Sequence, residues 1–165
     1  MADSGYTKPT NAIVVAGSPM VQYLKVEAVA NMYPGRLVMK GSSDAEVVVN
    51  ARTYGDDGRA IGWLGYEQTQ KGYRPDTVND IYLGADSDPS VNVTAAVLSG
   101  PGTIIVGSLA VSQTVAKGDR LFDAAAGQLT KLSGEMISSG PVAIAEESVS
   151  TSSIASIDIM VRRLI

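Results

Sequence analysis

The chain has 165 residues, 45% of them hydrophobic and 18% charged, with no Cys, no His and a formal net charge of −4. That length suits about one domain, and the balance of apolar and charged residues excludes an intrinsically disordered chain. Without Cys there are no disulfides or thiolate metal sites, and without His the commonest general base is missing. The acidic charge argues against nucleic-acid binding, which needs a basic surface.

Residues 1–12 are small and polar, and Pro9 interrupts them. They predict a flexible, extended N-terminal arm without a core of its own, followed by a single β-rich domain over residues 13–165. The start of the chain lacks the basic residues and apolar run of a signal peptide, and no stretch is apolar enough to span a membrane. We therefore expect a soluble protein that is made in the cytoplasm and does not bind membranes.

Short apolar runs alternate with turns rich in Gly and Pro from residue 13 to the end of the chain, which is typical of β-strands. Tyr33-Pro-Gly35 predicts a turn with Pro at its second position. Gly62, inside the run around Trp63, predicts a β-bulge or a close approach of two backbones. The predicted strands are 13–16, 22–28, 36–40, 46–50, 60–66, 91–98, 103–106, 120–123, 128–132, 142–145 and 154–161.

The second half of the chain has further strand signals. Residues 120–123 and 128–132 flank a short turn and predict a hairpin-like pair. The last strand places Ile157, Ile159 and Val161 on one face, with Asp158 and Arg162 on the other. The pattern predicts an all-β fold with at most one short helix, near residues 133–138 or 75–80.

Two segments are weakly similar to each other, at about residues 29–67 and 115–161. Each begins with a turn glycine, Gly35 or Gly118, followed by a basic residue and an apolar strand. A second glycine, Gly62 or Gly140, precedes another apolar strand. Two similar β-motifs folded against one another would explain this pattern, and chance similarity among short strands is the alternative.

Candidate chemical sites are few. Asp56 and Asp57 lie in a Tyr-Gly-Asp-Asp-Gly loop, where turn formation explains them better than acid–base chemistry. Asp86 and Asp88 have the alternating pattern of a calcium loop but lack its central Gly and distal Glu, so a solvated turn explains them better, with an adventitious ion as the alternative. No phosphate-binding glycine loop or Ser nucleophile motif is present. The sequence predicts no catalytic residue, no cofactor and no metal.

Three sequence segments resemble a known family. These are Val115-Ala-Lys-Gly-Asp-Arg-Leu-Phe-Asp, Gly127-Gln-Leu-Thr-Lys-Leu, and Gly140-Pro-Val-Ala-Ile-Ala-Glu-Glu-Ser-Val149, with a closing strand through Ile159. They resemble the small capsid decoration, or cement, proteins of tailed double-stranded DNA phages and related viruses. The likeness covers residues 115–161, and it departs from the family pattern at Pro141 and in a longer middle segment.

The resemblance implies a compact β-barrel-like or β-tulip fold. It also implies a non-enzymatic structural virion protein that binds the outer surface of an icosahedral capsid as an oligomer, with a homotrimer favoured. Its partners would be the major capsid protein and further copies of itself, and it would stabilise the shell by bridging capsomers. The candidate capsid or subunit contacts are Tyr6, Lys8, Pro9, Ile13, Trp63 and Tyr66.

Two other functions remain open at this stage. A carbohydrate-binding β-module would use Trp63, Tyr66 and Tyr73 as a stacking platform, although a lone Trp between glycines more often fills a core or a subunit interface. A hydrolase built on carboxylates alone would use Asp56, Asp57, Asp119 or Glu146. We rank the capsid protein first, the carbohydrate-binding module second and the hydrolase third.

Overall fold

The computed structural model describes residues 5–7, 13–27, 33–44, 46–49, 60–65, 94–131, 140–151 and 157–165. In these residues the chain is built from β-strands and a single 3₁₀ turn at Ala125–Gly127, so the predicted all-β fold is confirmed. No helix in this described part has the length and apolar character needed to cross a membrane. Both positions predicted for a short helix lie outside the described residues. The strands are β1 (Val14–Ala16), β2 (Met20–Val26), β3 (Leu37–Lys40), β4 (Glu46–Val49), β5 (Ala60–Leu64), β6 (Thr94–Ser99), β7 (Ile104–Leu109), β8 (Thr114–Val115), β9 (Arg120–Asp123), β10 (Leu129–Lys131), β11 (Ala143–Ala145), β12 (Val149–Ser150) and β13 (Ile157–Arg163).

The first five-stranded unit, here called ring 1, is a closed barrel with strand order β2-β4-β3-β5-β6. Strands β2 and β4 run parallel, and the other neighbours are antiparallel. Val38, Leu64 and Val97 in this barrel are fully buried. The expectation of a compact, barrel-like domain is therefore confirmed.

The second unit, ring 2, contains β7, β10, β9, β11 and β13. Its pairings also close on themselves, because β7 pairs with both β10 and β13. Strands β9 and β10 form the hairpin that the sequence predicts, with Leu129 opposite Asp123. Strand β1 lies antiparallel along the outer edge of β7, and β8 pairs with β12 in a separate two-stranded sheet.

Rings 1 and 2 have the same connectivity, strand for strand. Strands β2, β3, β4, β5 and β6 correspond to β7, β9, β10, β11 and β13, and in each ring the first and third strands form the parallel pair. Single backbone hydrogen bonds also correspond. The Gly35 amide donates to the Leu64 carbonyl at 2.9 Å, as the Gly118 amide donates to Ala145 at 2.8 Å. The other matched donor–acceptor pairs are Arg36–Tyr33 with Asp119–Ala116, Leu64–Arg36 with Ala145–Asp119, Gly65–Ala96 with Glu146–Met160, Gly41–Glu46 with Ala124–Gln128, and Glu27–Val47 with Ala110–Leu129.

The predicted turn at Tyr33-Pro-Gly35 is present. The Arg36 amide donates to the Tyr33 carbonyl at 3.2 Å, and Gly35 has φ +80°. A turn with Pro second and a positive φ at the third residue is type II, which requires Gly at that third position. Gly118, with φ +92°, occupies the equivalent turn of ring 2.

The predicted irregularity at Gly62 is also present. Val38 lies opposite Gly62 while the next residue, Met39, lies opposite Ala60, so Ile61 has no counterpart on β3 and forms a β-bulge. A Cβ atom on Gly62 would lie only 2.6 Å from the carbonyl oxygen of Leu98. Both interpretations of an interior glycine, a bulge and a close backbone approach, therefore hold at this one residue.

One hydrophobic core joins the two rings. Leu37, Trp63 and Leu98 from ring 1 belong to the same buried cluster as the inward-facing side chains of ring 2. A Cβ atom on Gly107 of β7 would lie 2.9 Å from Trp63 Cζ3, so the absence of a side chain there leaves room for the indole. The chain therefore packs its two barrels through an outer face of ring 1 and the interior of ring 2.

Candidate docking surface

The residues predicted as contacts fall into three environments. Tyr6 is 41% exposed, whereas Ile13 and Trp63 are buried within the chain. Ile13 anchors the start of β1, since its carbonyl oxygen accepts a hydrogen bond from the Val106 amide at 2.7 Å. Lys8, Pro9 and Tyr66 lie outside the described residues. Contact of these six residues with a capsid or a second subunit stays a prediction.

Trp63 has no exposed surface, and its ring lies against Gly107 of β7. Its indole Nε1 is buried without a hydrogen-bond partner. Neither face of the ring is open to a sugar in this conformation, and the other two aromatic residues of the suggested platform, Tyr66 and Tyr73, lie outside the described residues. Trp63 here fills the core between the rings.

The two described carboxylates considered for hydrolysis, Asp119 and Glu146, are held in ion pairs. The Asp119 Oδ2 atom accepts the Ala116 amide at 2.8 Å and lies 2.6 Å from Lys131 Nζ. The hydrogen bond from Lys131, followed by that from Ala116, holds the pKa of Asp119 below its usual value. A carboxylate in this setting stays ionised at neutral pH and is a poor proton donor.

Glu146 is the other described carboxylate of that hypothesis. Its side chain is 7% exposed, and its oxygens lie 2.7 Å from Arg162 Nη2 and 3.9 Å from Lys117 Nζ. The described residues contain no cluster of three or more acidic or other metal-ligating side chains. Asp56, Asp57, Asp86 and Asp88 lie outside these residues.

Arg163 is a buried cation at the junction of the rings. Its side chain has no exposed surface, and Nη2 donates to the Ser99 carbonyl oxygen at 3.0 Å. Nε and Nη1 have no hydrogen-bond partner, and burial lowers the pKa of Arg163. Its backbone also holds the turn between β6 and β7, because the Arg163 amide donates to Thr103 and its carbonyl accepts from Gly102. Arg163 thus fixes the crossover from ring 1 to ring 2.

Strand β2 carries three of the seven large hydrophobic residues that are exposed in the described part of the chain. Met20 is 66% exposed, Tyr23 58% and Val21 39%, and together they are called the β2 strip below. The strand predicted at residues 22–28 is present here, with Leu24 partly buried and Tyr23 exposed. The strip itself was not predicted, although apolar residues at successive positions, Met20 and Val21, were its available signal. Exposed apolar clusters of this kind mark docking surfaces.

Comparison with known proteins identifies no family. No protein-family model matches the chain, and no curated protein sequence matches it. Among solved structures, the chain is similar to one described as the crystal structure of the head fiber gp8.5 N base in bacteriophage phi29. The two chains are 11% identical with a TM-score of 0.47, and the match covers 88% of this chain and 94% of that one.

Proposed function

We propose that this chain is a non-enzymatic structural virion protein that binds the outer surface of an icosahedral capsid as an oligomer. Its partner is the major capsid protein, and its effect is to stabilise the shell by bridging neighbouring capsomers. A trimer is the oligomer that the family resemblance favours.

The observation that supports this proposal most is the correspondence between the resembling segments and one structural unit. The Gly-Asp-Arg-Leu segment forms β9, the Gly-Gln-Leu-Thr segment forms β10, and the segment after Gly140 forms β11. Strand β9 pairs with both β10 and β11, and the closing strand β13 pairs with β11. The three short motifs and the closing strand therefore lie side by side in ring 2, which is the arrangement expected if the resemblance reflects a shared fold.

The physical character of the described chain also suits a structural role. Several of its charged side chains form structural ion pairs, such as Lys131–Asp119 and Arg162–Glu146. Four of its exposed large apolar residues, Met20, Val21, Tyr23 and Ile61, lie on strands of ring 1, and a sheet is a rigid platform for docking. Weak contacts suffice in this role, because many copies on a symmetric lattice act together.

The direct test is co-sedimentation of the purified chain with capsids of the virus that encodes it. Assembled shells should carry the protein to the pellet in a saturable ratio, and free coat subunits should not bind it, since bridging needs neighbouring capsomers. A chain that binds neither shells nor coat subunits would refute the proposal. Turnover of a substrate by the purified chain would refute its non-enzymatic part.

A further inference from the structure

The equivalence of the two rings exposes a difference between them at one strand edge. In ring 2 the first half of β7 is covered by β1, which lies antiparallel with Val14 opposite Ile105 and Ala16 opposite Ile104. The equivalent strand of ring 1 is β2, and the matched hydrogen bonds align Val21 with Ile104 and Tyr23 with Val106. Among the described residues, β2 pairs with β4 only from Lys25 onward, and no strand covers the same side of residues 20–24.

Residues of β7 are more buried than their equivalents on β2, as expected where β1 covers one strand and no described strand covers the other. Ile104 is 4% exposed and Val106 is fully buried, whereas their ring 1 counterparts are the exposed Val21 and Tyr23. The directions of the backbone hydrogen bonds support the same conclusion. The Ala96 carbonyl accepts from Gly65 of β5, so alternation along β6 directs its neighbours Ala95 and Val97 toward β2. Val97 lies opposite Gln22, so Gln22 bonds to β6 while the amides and carbonyls of Val21 and Tyr23 face the open side.

We propose that the β2 edge of one copy pairs antiparallel with the β2 edge of a second copy, about a two-fold axis at Gln22. In that register Val21 faces Tyr23 of the second copy in both directions, and each such pair exchanges hydrogen bonds because both residues point outward. Met20 faces Leu24, so apolar residues meet apolar residues on both sides of the central Gln22 pair. This self-complementarity is what a two-fold interface requires.

The distribution of charge along β2 also favours a second copy of this chain as the partner. Residues 20–24 carry no charge, and the next residue, Lys25, is held 3.2 Å from Glu46 of its own chain. In the proposed register Lys25 faces Pro19 of the second copy, so no like charges meet. Aromatic and β-branched residues opposite one another, as Tyr23 and Val21 would be, form favourable cross-strand pairs.

This inference goes beyond the proposed function and does not depend on it, because the pairing needs no shell. The two-fold contact is also separate from any three-fold contact, so in a trimeric assembly it would link neighbouring trimers.

The test uses the absence of native Cys, which makes any introduced thiol unique. At the two-fold axis the two Gln22 residues form a non-hydrogen-bonded pair with Cα atoms about 4.5 Å apart, within the range that a disulfide spans. Gln22→Cys should therefore give a covalent dimer under mild oxidation. The matched control is Val111→Cys, at an apolar turn position that is 41% exposed. Because pairing holds two thiols at high effective concentration, Gln22→Cys should crosslink at least about tenfold faster than the control.

A second substitution tests whether the crosslinking depends on contact between the β2 strips of two copies. Tyr23→Lys in the Gln22→Cys background should reduce the crosslinking rate about tenfold, equivalent to about 1.4 kcal/mol of association energy, while Val111→Lys should not change it. Sedimentation equilibrium of the Cys-free chain with and without Tyr23→Lys should show the same weakening of self-association. The proposal would be overturned by equal crosslinking at positions 22 and 111, or by crosslinking that Tyr23→Lys does not slow. Either result would mean that the β2 strip does not pair with a second copy, even if it binds another partner.

Discussion

The equivalent turn glycines Gly35 and Gly118 offer a matched pair of substitutions that measures the contact between the rings. Both have a positive φ, +80° and +92°, so Ala at either position carries the strain of a left-handed backbone, about 1–2 kcal/mol. Their surroundings differ. A Cβ atom on Gly118 meets nothing within 4 Å, whereas one on Gly35 would lie 2.5 Å from the Val106 carbonyl oxygen on β7.

Gly118→Ala should therefore lower the free energy of unfolding only by the cost of backbone strain. Gly35→Ala should lower it by roughly a further 1–3 kcal/mol, because the new Cβ forces ring 1 away from β7. For a chain of this size, a difference of about 2 kcal/mol corresponds to roughly 4–8 °C in Tm. Urea unfolding at constant pH, followed by circular dichroism and by Trp63 fluorescence, gives both free energies of unfolding and tests whether the two probes coincide. Equal losses for the two variants would refute the packing of this turn against β7.

Three further substitutions follow from the described contacts. Trp63→Ala should lower the free energy of unfolding by about 3–5 kcal/mol. Trp63→Phe should lower it by no more than about 1.5 kcal/mol, because the indole N–H has no hydrogen-bond partner to lose. Equal losses for these two variants in urea unfolding would contradict the buried placement of Trp63. Arg163→Met should raise the free energy of unfolding by about 1 kcal/mol, because it removes two buried N–H groups that have no hydrogen-bond partner, and this gain outweighs the lost hydrogen bond to Ser99. A large loss of stability would contradict this and show that the guanidinium has a counter-charge. Asp119 has a lowered folded pKa, so its contribution to stability is present above the ordinary Asp value of 3.8 and is lost as pH falls through the folded pKa. Asp119→Asn should therefore lower the urea midpoint at pH 7 and reduce its fall on acidification, and an unchanged acid profile would contradict the ion pair with Lys131.

Local sequence signals predicted the strands and turns well because their causes are local. Pro and Gly at positions 34 and 35 set a type II turn wherever they occur together, and alternation along β13 identifies Ile159 and Val161 as buried. The bulge at Ile61 was predicted for the same reason, since Gly62 is the residue that tolerates a close backbone approach.

Pairing between strands far apart in the chain, and the candidate surface, depend on distant residues and could not be predicted from local sequence patterns, unlike the β9–β10 hairpin. The parallel pairing of β2 with β4 and the closure of ring 2 through β7 and β13 join segments that share no local pattern. The internal equivalence shows in the sequence at the turn, where Gly35 matches Gly118, but not elsewhere: Gly62 matches Ala143 and not Gly140, and such matched residues keep the hydrogen bonding and not the side chain. Exposure of the β2 strip follows from the lack of a covering strand among the described residues, which no property of Met20 or Tyr23 reveals.

The central claim, attachment to the outside of a capsid, is tested most directly by cryo-microscopy of shells prepared with and without the purified chain. We predict added density on the outer surface, at sites shared by neighbouring capsomers, into which both five-stranded rings fit. Shells that look identical with and without the protein, or density confined to the interior, would contradict it.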